Sequence, residues 1–214
     1  MTIWAILSDV HGRGDRLSRV LSDADARGAS RILSLGDLGG THVLEQLNQA
    51  GAQYVFGNWE ASSLRGMAQP YRGQVACWPA QYCSDGFCAA HASPVWPDGL
   101  VIGDVVDYLR ARSLHWTALF PSLSRSPEAR SAAFLALAAA GIAVFFHGHT
   151  HIQEAWTWVP GSSPQRLSGP SLILPDDGTH VLVGVGSVGD ARDGPEARYV
   201  LYDAVRRQVT WRQA

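Results

Sequence analysis

The chain contains no lysine; all 17 of its basic residues are arginine. A Schiff-base lysine and the lysine of a P-loop are therefore excluded, and any phosphate contact falls to arginine, main-chain N–H or a metal. Cysteine is almost as scarce. Cys77, Cys83 and Cys88 are odd in number and lack CxxC spacing, so they read as reduced packing residues rather than a zinc or redox motif, with Ser84-Asp85-Gly86 as a hairpin turn. No window reaches the ~18 uninterrupted apolar residues of a membrane span, and an apolar run starting at Ile3 leaves no room for a secretory signal, which makes the cytoplasm the expected location. The formal charge is −2, too small for a basic field that would attract polymeric nucleic acid.

What remains is a chain of 214 residues, 46% hydrophobic and 17% charged, able to bury a sizeable core as one domain over residues 1–214. Four apolar runs end in polar residues. Ile3 to Leu7 leads into Asp9-Val10-His11-Gly12, Ile32 to Leu35 into Gly36-Asp37, Tyr54 to Phe56 into Gly57-Asn58, and Ile142 to Phe146 into His147-Gly148-His149. Leu17, Val20, Leu21 and Ala24, then Val43, Leu44 and Leu47, recur at helical spacing between the first three runs, so parallel strands joined by helices are predicted. In such sheets, ligands bind beyond the carboxyl ends of the strands.

Further along, Glu60 to Met67 is predicted as a short helix. Gln81 to Cys83 and Phe87 to Ala90 form a predicted hairpin ending at His91. Val105, Val106 and Leu109, and later Phe134, Leu135 and Leu137, place two helices around a Pro121 to Pro127 break, a helical insertion spanning about 95–141. Strands follow at Glu154 to Val159, Leu172 to Leu174, Val181 to Val185 and Tyr199 to Tyr202, with Gly161 to Pro170 as the most loop-like stretch.

The polar residues at the run ends are carboxylates, imidazoles and one amide, a donor set suited to two divalent or trivalent ions such as Mn, Fe or Zn. Two metals ~3.5–4 Å apart need a ligand that touches both, and Asp37, alone at the end of the second run, is the candidate bridge. His147, His149 and His151 alternate, so an extended backbone would point them to one face.

In order and in combination, Asp9-Val10-His11-Gly12, Gly36-Asp37, Gly57-Asn58, His91 with Ser93-Pro94, Gly148-His149-Thr150-His151, and Gly186-Ser187-Val188-Gly189 with Arg192-Asp193-Gly194 resemble the calcineurin-like metallophosphoesterase superfamily, in particular its small prokaryotic phosphodiesterase branch. The resemblance implies an α/β four-layer αββα sandwich, two packed mixed β-sheets flanked by helices. It implies one metal on Asp9, His11, Asp37 and His151 and a second on Asp37, Asn58, His91 and His149, with hydrolysis of a phosphodiester or nucleotide phosphoanhydride by a metal-bridging hydroxide. Catalytic roles follow for Asp37, Asn58, His91 and, as a clamp on a phosphate oxygen, Arg192, which equally suits an ion pair with Asp190 or Asp193. His147, His42, His115 and His180 match no ligand position.

Three departures stand out. Trp59 follows Asn58 where many relatives carry a proton-donating His, which disfavours alkoxide leaving groups and leaves Glu60 either as a substitute acid or as a first-turn helix carboxylate. Ala92 replaces a glycine. Trp96, Tyr108, Trp116 and Phe120 lie in the insertion and suit either base stacking or helix packing. Arg13 suits a helix opening that faces solvent. A dinucleoside-polyphosphate hydrolase of the diadenosine tetraphosphate type is the alternative, and a non-catalytic metal-binding scaffold a further one. The implied partner is a small phosphate ester or nucleotide.

Overall fold

The computed structural model describes residues 2–84, 86–167, 169–175 and 178–214. In chain order its strands and helices are β1 (Ile3–Leu7), α1 (Gly14–Ala26), β2 (Arg31–Ser34), α2 (Thr41–Gln49), β3 (Gln53–Tyr54), α3 (Asn58–Ser63), α4 (Tyr71–Val75), β4 (Gln81–Ser84) and β5 (Phe87–Ala90). Then come α5 (Val105–Ala111), α6 (Pro127–Ala140), β6 (Val144–His147), β7 (Gln153–Trp158), β8 (Gln165–Leu167), β9 (Ser171–Ile173), β10 (His180–Val185), β11 (Arg198–Asp203) and β12 (Gln208–Gln213).

The strands form two six-stranded mixed sheets, ordered β3-β2-β1-β11-β12-β9 and β4-β5-β6-β10-β7-β8. β1, β2 and β3 run parallel, as do β5, β6 and β10, so both sheets contain a parallel half whose strands end on a common side. Alternation along the strands builds the layers. Trp4 and Ile6 join Val144, Phe146, Val181, Val183 and Val200 in the core between the sheets. Their neighbours Ala5 and Leu7 face outward onto Leu17, Val20, Val43 and Leu47 of α1 and α2, while Phe145 and Leu182 face Phe134 and Leu137 of α6. A period of two is therefore satisfied by a sheet covered on both faces, which is the predicted sandwich with helices outside.

Both ends of α6 are written locally. Ser126 accepts the N–H of Ala129 at 3.1 Å, Pro127 opens the helix, and Gly141 closes it at φ 66°. Residues 95–141, expected as a helical insertion, contain α5 and α6 together with one-turn 3₁₀ segments at Ile102–Asp104 and Trp116–Ala118.

Several expectations are corrected. Cys83 and Cys88 are not reduced: they form a disulfide, because the β4–β5 register sets them directly opposite each other with Cα atoms 4.1 Å apart. Cys77 is free and exposed. Asp85 of the expected turn lies outside the described residues. The loop-like stretch holds a short strand, Gln165–Leu167, which pairs with β7, and a C-terminal strand, Gln208–Gln213, was not anticipated although it pairs along β11. Both carry mixed polar residues, so their pairing is tertiary rather than patterned. The sixth strand runs one residue past Phe146 and takes His147 into the sheet. Among the described residues no helix is long and apolar enough to cross a membrane.

Candidate metal centre

Every expected ligand lies just past the end of β1, β2, β3, β5 or β6. Asp9, His11, Asp37, His149 and His151 all have positive φ, between 49° and 62°. Ser113 and Arg207 are the other non-glycine residues with positive φ among the described residues. Such backbone is costly for side chains with a Cβ, and its concentration here marks a site that the surrounding contacts over-determine. Those contacts run from loop to loop. The N–H of Asp9 donates to Gly36 O at 3.0 Å, that of His11 to Asp37 O at 3.1 Å, that of Gly148 to His91 O at 2.9 Å, and that of Gly189 to Asp9 O at 2.9 Å. The loops approach so closely that a Cβ on Gly57 would lie 2.2 Å from Asp37 Oδ1, and one on Gly148 would lie 1.9 Å from Ser8 Oγ and 2.7 Å from Asp9 Oδ2.

Two clusters of lone pairs result. In one, His91 Nδ1 faces the carbonyl of Leu35 at 2.8 Å and so carries the proton. Its Nε2 lone pair then faces Asn58 Oδ1 at 3.1 Å, His149 Nδ1 at 3.2 Å and Asp37 Oδ1 at 3.7 Å. In the other, His151 Nδ1 lies 2.7 Å from Asp190 O, which turns its Nε2 lone pair toward His11 Nε2 at 3.2 Å and Asp9 Oδ1 at 3.3 Å. Asp9 Oδ2 accepts the N–H of His149 at 2.8 Å, whereas the fully buried Asp9 Oδ1 has no hydrogen-bond donor among the described residues. Acceptors facing acceptors in a buried site are unfavourable unless a cation lies among them. Carboxylate and imidazole in this arrangement fit a first-row divalent ion. The ligand atoms of Asp9, His11 and His151, and of Asp9, Asp37 and His91, fall into groups within 4.8 Å. Asp9 falls in both groups, and Asp37, the expected bridge, falls in the second beside Asp9 and His91.

Proton affinities diverge accordingly. With no metal bound, burial alone would raise Asp9, but His11 and His151, when protonated, and the charge of His91 hold its pKa well below the usual carboxylate range. Burial raises Asp37, with His91 opposing and the Asp9 charge adding to the rise. Burial would lower His91, yet the charges of Asp37 and Asp9 lift it above the ordinary imidazole value. His149 is pushed down to about 3 by burial and then by His91, which leaves it a neutral ligand.

Around the clusters, Glu60 does what no motif announced. Its buried carboxylate accepts three main-chain N–H groups, from Asp37 and Gly57 through Oε2 and from Leu38 through Oε1, each at 2.8 Å. The detectable signal was a carboxylate in the first turn of a helix, three residues after Gly57, whose N–H it accepts; the bonds to Asp37 and Leu38 had none. Asp37 Oδ1 also accepts the N–H of Trp59 at 2.7 Å. The Trp59 indole lines a small apolar pocket with Leu38, Leu44, Met67 and Tyr71.

Arg192 is exposed, and its main-chain N–H donates to His151 O at 3.0 Å. No ion pair of its side chain with Asp190 or Asp193 is found among the described residues; Asp190 faces His151 and Asp193 faces Arg198. His147 is fully buried, with Nδ1 3.1 Å from Gly148 O, and stands outside both groups. His42 faces Gly12 O, His115 faces Thr117 and His180 faces Ile142 O. Arg13 pairs with Asp15 in solvent at the start of α1. Phe120 packs edge-on against His91, with centroids 5.9 Å apart, and Trp96 and Trp116 pack against Phe120. Tyr108 instead lies beneath the Arg112 guanidinium.

Two mixed sheets with helices outside, carrying Asp and His clusters at one shared edge, define a metallophosphoesterase architecture. The chain belongs to the calcineurin-like phosphoesterase superfamily, whose domain description matches residues 1–207. An uncharacterized protein of Methanocaldococcus jannaschii is 25% identical over 213 residues, covering 93% of this chain and 82% of that protein. Among solved structures, a metallophosphoesterase from Sphaerobacter thermophilus superposes with a TM-score of 0.72 at 20% identity, over 100% of this chain and 88% of that one. A putative diadenosine tetraphosphatase superposes with a TM-score of 0.52 at 16% identity, over 100% of this chain and 94% of that one.

Proposed function

We propose that the protein is a metal-dependent phosphoesterase that hydrolyses phosphodiester or nucleotide phosphoanhydride bonds. Asp9, His11, Asp37 and His151 would hold one ion, and Asp37, Asn58, His91 and His149 the other, with Mn, Fe or Zn the ions that suit these donors. The observation that carries this reading is the buried Asp9 Oδ1, which has no hydrogen-bond donor among the described residues and lies 3.3 Å from His151 Nε2. A bound metal pair supplies Lewis acidity at the phosphoryl oxygens and a nucleophilic water at neutral pH.

The chain's own residues supply the rest. The N–H of His149 fixes the side chain of Asp9 and the carboxylate of Glu60 fixes the backbone of Asp37, so these ligands would be preorganised. Arg192, exposed, with its main-chain N–H on His151 O and no carboxylate partner among the described residues, would donate to a phosphate oxygen of the substrate. Phe120, backed by Trp96 and Trp116, walls the side of His91 and His149.

Trp59 has no acidic proton to give a departing alkoxide, and Glu60 is committed to three N–H groups, so neither serves as the general acid. That favours leaving groups that depart without protonation, which include activated aryl esters and phosphoanhydrides. A dinucleoside-polyphosphate substrate is the second reading, supported by this missing acid and by the fold shared with a putative diadenosine tetraphosphatase. Turnover of bis-p-nitrophenyl phosphate and of diadenosine tetraphosphate by metal-loaded protein tests both. Hydrolysis of the aryl diester alone removes the nucleotide reading. Asp37→Asn should abolish turnover and lower the metal content; unchanged metal content in that variant, with neither substrate hydrolysed by the parent, would instead indicate a scaffold.

A further inference from the structure

The apolar pocket beside Trp59 measures about 290 Å³ including its mouth and lies between the β2–α2 turn, α3 and α4. That is the lower end of small-molecule sites, room for a single ring rather than a whole nucleotide. Leu38, Leu44 and Val75, all buried, form its floor, and the half-buried Trp59, Met67 and Tyr71 form its mouth.

Two of these residues are chain neighbours of expected metal ligands: Leu38 follows Asp37, and Trp59 follows Asn58. Asn58 and Trp59 are the first two residues of α3, and consecutive helix positions are turned about 100° apart. With Asn58 Oδ1 facing His91 Nε2 at 3.1 Å, Trp59 is turned off the metal side into the pocket, so the two regions lie on adjoining faces of one helix. The main-chain N–H of Trp59 on Asp37 Oδ1, at 2.7 Å, ties them together.

The polar groups in the wall are engaged elsewhere. The Glu60 carboxylate is spent on the N–H groups of Asp37, Leu38 and Gly57, and the Tyr71 hydroxyl donates to Glu45. The floor therefore offers carbon surface. A nucleobase would leave its polar ring edge unpaired there, whereas a plain aryl ring has none to desolvate.

We propose that this pocket is a specificity subsite, which takes an apolar aromatic ring esterified to the substrate phosphate, with Trp59 as its specificity-determining residue. The inference rests on the phosphoesterase reading and narrows its substrate class to aryl esters.

The test uses metal-loaded full chain and three diesters that share the p-nitrophenolate leaving group: methyl p-nitrophenyl phosphate, phenyl p-nitrophenyl phosphate and thymidine 5′-(p-nitrophenyl phosphate). kcat/KM should be about tenfold or more higher for the phenyl than for the methyl diester, the discrimination an apolar pocket provides. The thymidine diester should not exceed the phenyl one. The phenyl-to-methyl ratio should shrink at least threefold in Trp59→Ala, and Tyr71→Ala supplies the same comparison if that variant fails to fold. Binding is read separately in ¹H–¹⁵N spectra, where phenylphosphonate should move the Trp59 indole resonance saturably and methylphosphonate should not. A parent ratio near one, a ratio unchanged in the folded variant, or a thymidine diester preferred over the phenyl one would overturn the subsite. Turnover with a Trp59 resonance unmoved by phenylphosphonate would remove the subsite alone. No turnover of any diester, with that resonance still moved, would overturn the phosphoesterase reading and the pocket's part in it.

Discussion

The carboxylate of Glu60 accepts the main-chain N–H of Asp37 at 2.8 Å, from 23 residues further along the chain. A helix residue thereby fixes the backbone of a metal-ligand candidate held at positive φ. Glu60→Ala leaves the buried N–H groups of Asp37, Leu38 and Gly57 without their acceptor, and should cost about 3 kcal/mol or more of stability. Glu60→Gln keeps the shape but replaces one acceptor oxygen by a donor, and should fall between. Urea denaturation of the three proteins checks this order; a Glu60→Ala variant as stable as the parent would show that the carboxylate holds nothing.

At Gly148 the prediction is steric. A methyl group there would meet Ser8 Oγ and Asp9 Oδ2, so Gly148→Ala must push Asp9 away from the cluster. Stability should fall by about 1–3 kcal/mol, the usual range for overpacking, and metal content should drop. Metal analysis beside the urea midpoint reads both effects, and full metal loading in the folded variant would contradict the packing described.

In metal-free protein, His149 should stay neutral far below the ordinary imidazole value, since burial and then the His91 charge depress it to about 3. The unfolded chain charges this imidazole near 6.5 and the folded chain resists. The stabilisation from this group is therefore complete above about pH 6.5 and is lost as the pH falls from there toward about 3. Imidazole Cε1 chemical shifts report the titration directly; a His149 midpoint near 6.5 would refute the burial argument.

Arg192→Ala removes an exposed side chain whose main-chain N–H to His151 O is retained. Folding should be unchanged, while kcat/KM for bis-p-nitrophenyl phosphate should fall by about tenfold to a hundredfold, the loss of one charge-assisted hydrogen bond. An unaltered kcat/KM would remove Arg192 from the phosphate site.

Much of this site is legible before folding. Asp9, Asp37 and the residues after Phe146 close apolar runs, and in parallel sheets run ends become site edges. The alternation of Trp4 and Ile6 with Ala5 and Leu7 likewise announces a strand buried on both faces. The role of Glu60 is less visible, since a carboxylate in a first helical turn signals a helix start but not a hold on Asp37. The pairing of Cys83 with Cys88 depends on hairpin register, and an odd cysteine count in a chain expected to be cytoplasmic points the other way. β8 and β12 lack a clear pattern because their partners, not their own residues, settle their conformation.

The order of side-chain types along the chain was enough to determine which residues offer metal donors and which faces of the strands are apolar, because periodicity and donor chemistry belong to each segment. Tertiary structure alone decided that Asp9 comes within reach of both His151 and Asp37, that the N–H of His149 reaches back 140 residues to donate to Asp9, and that Arg198 of β11 is buried against Asp193. Those relationships arise from the packing of one sheet on another, and distances between elements remote in sequence are set by the whole core rather than by any stretch of it.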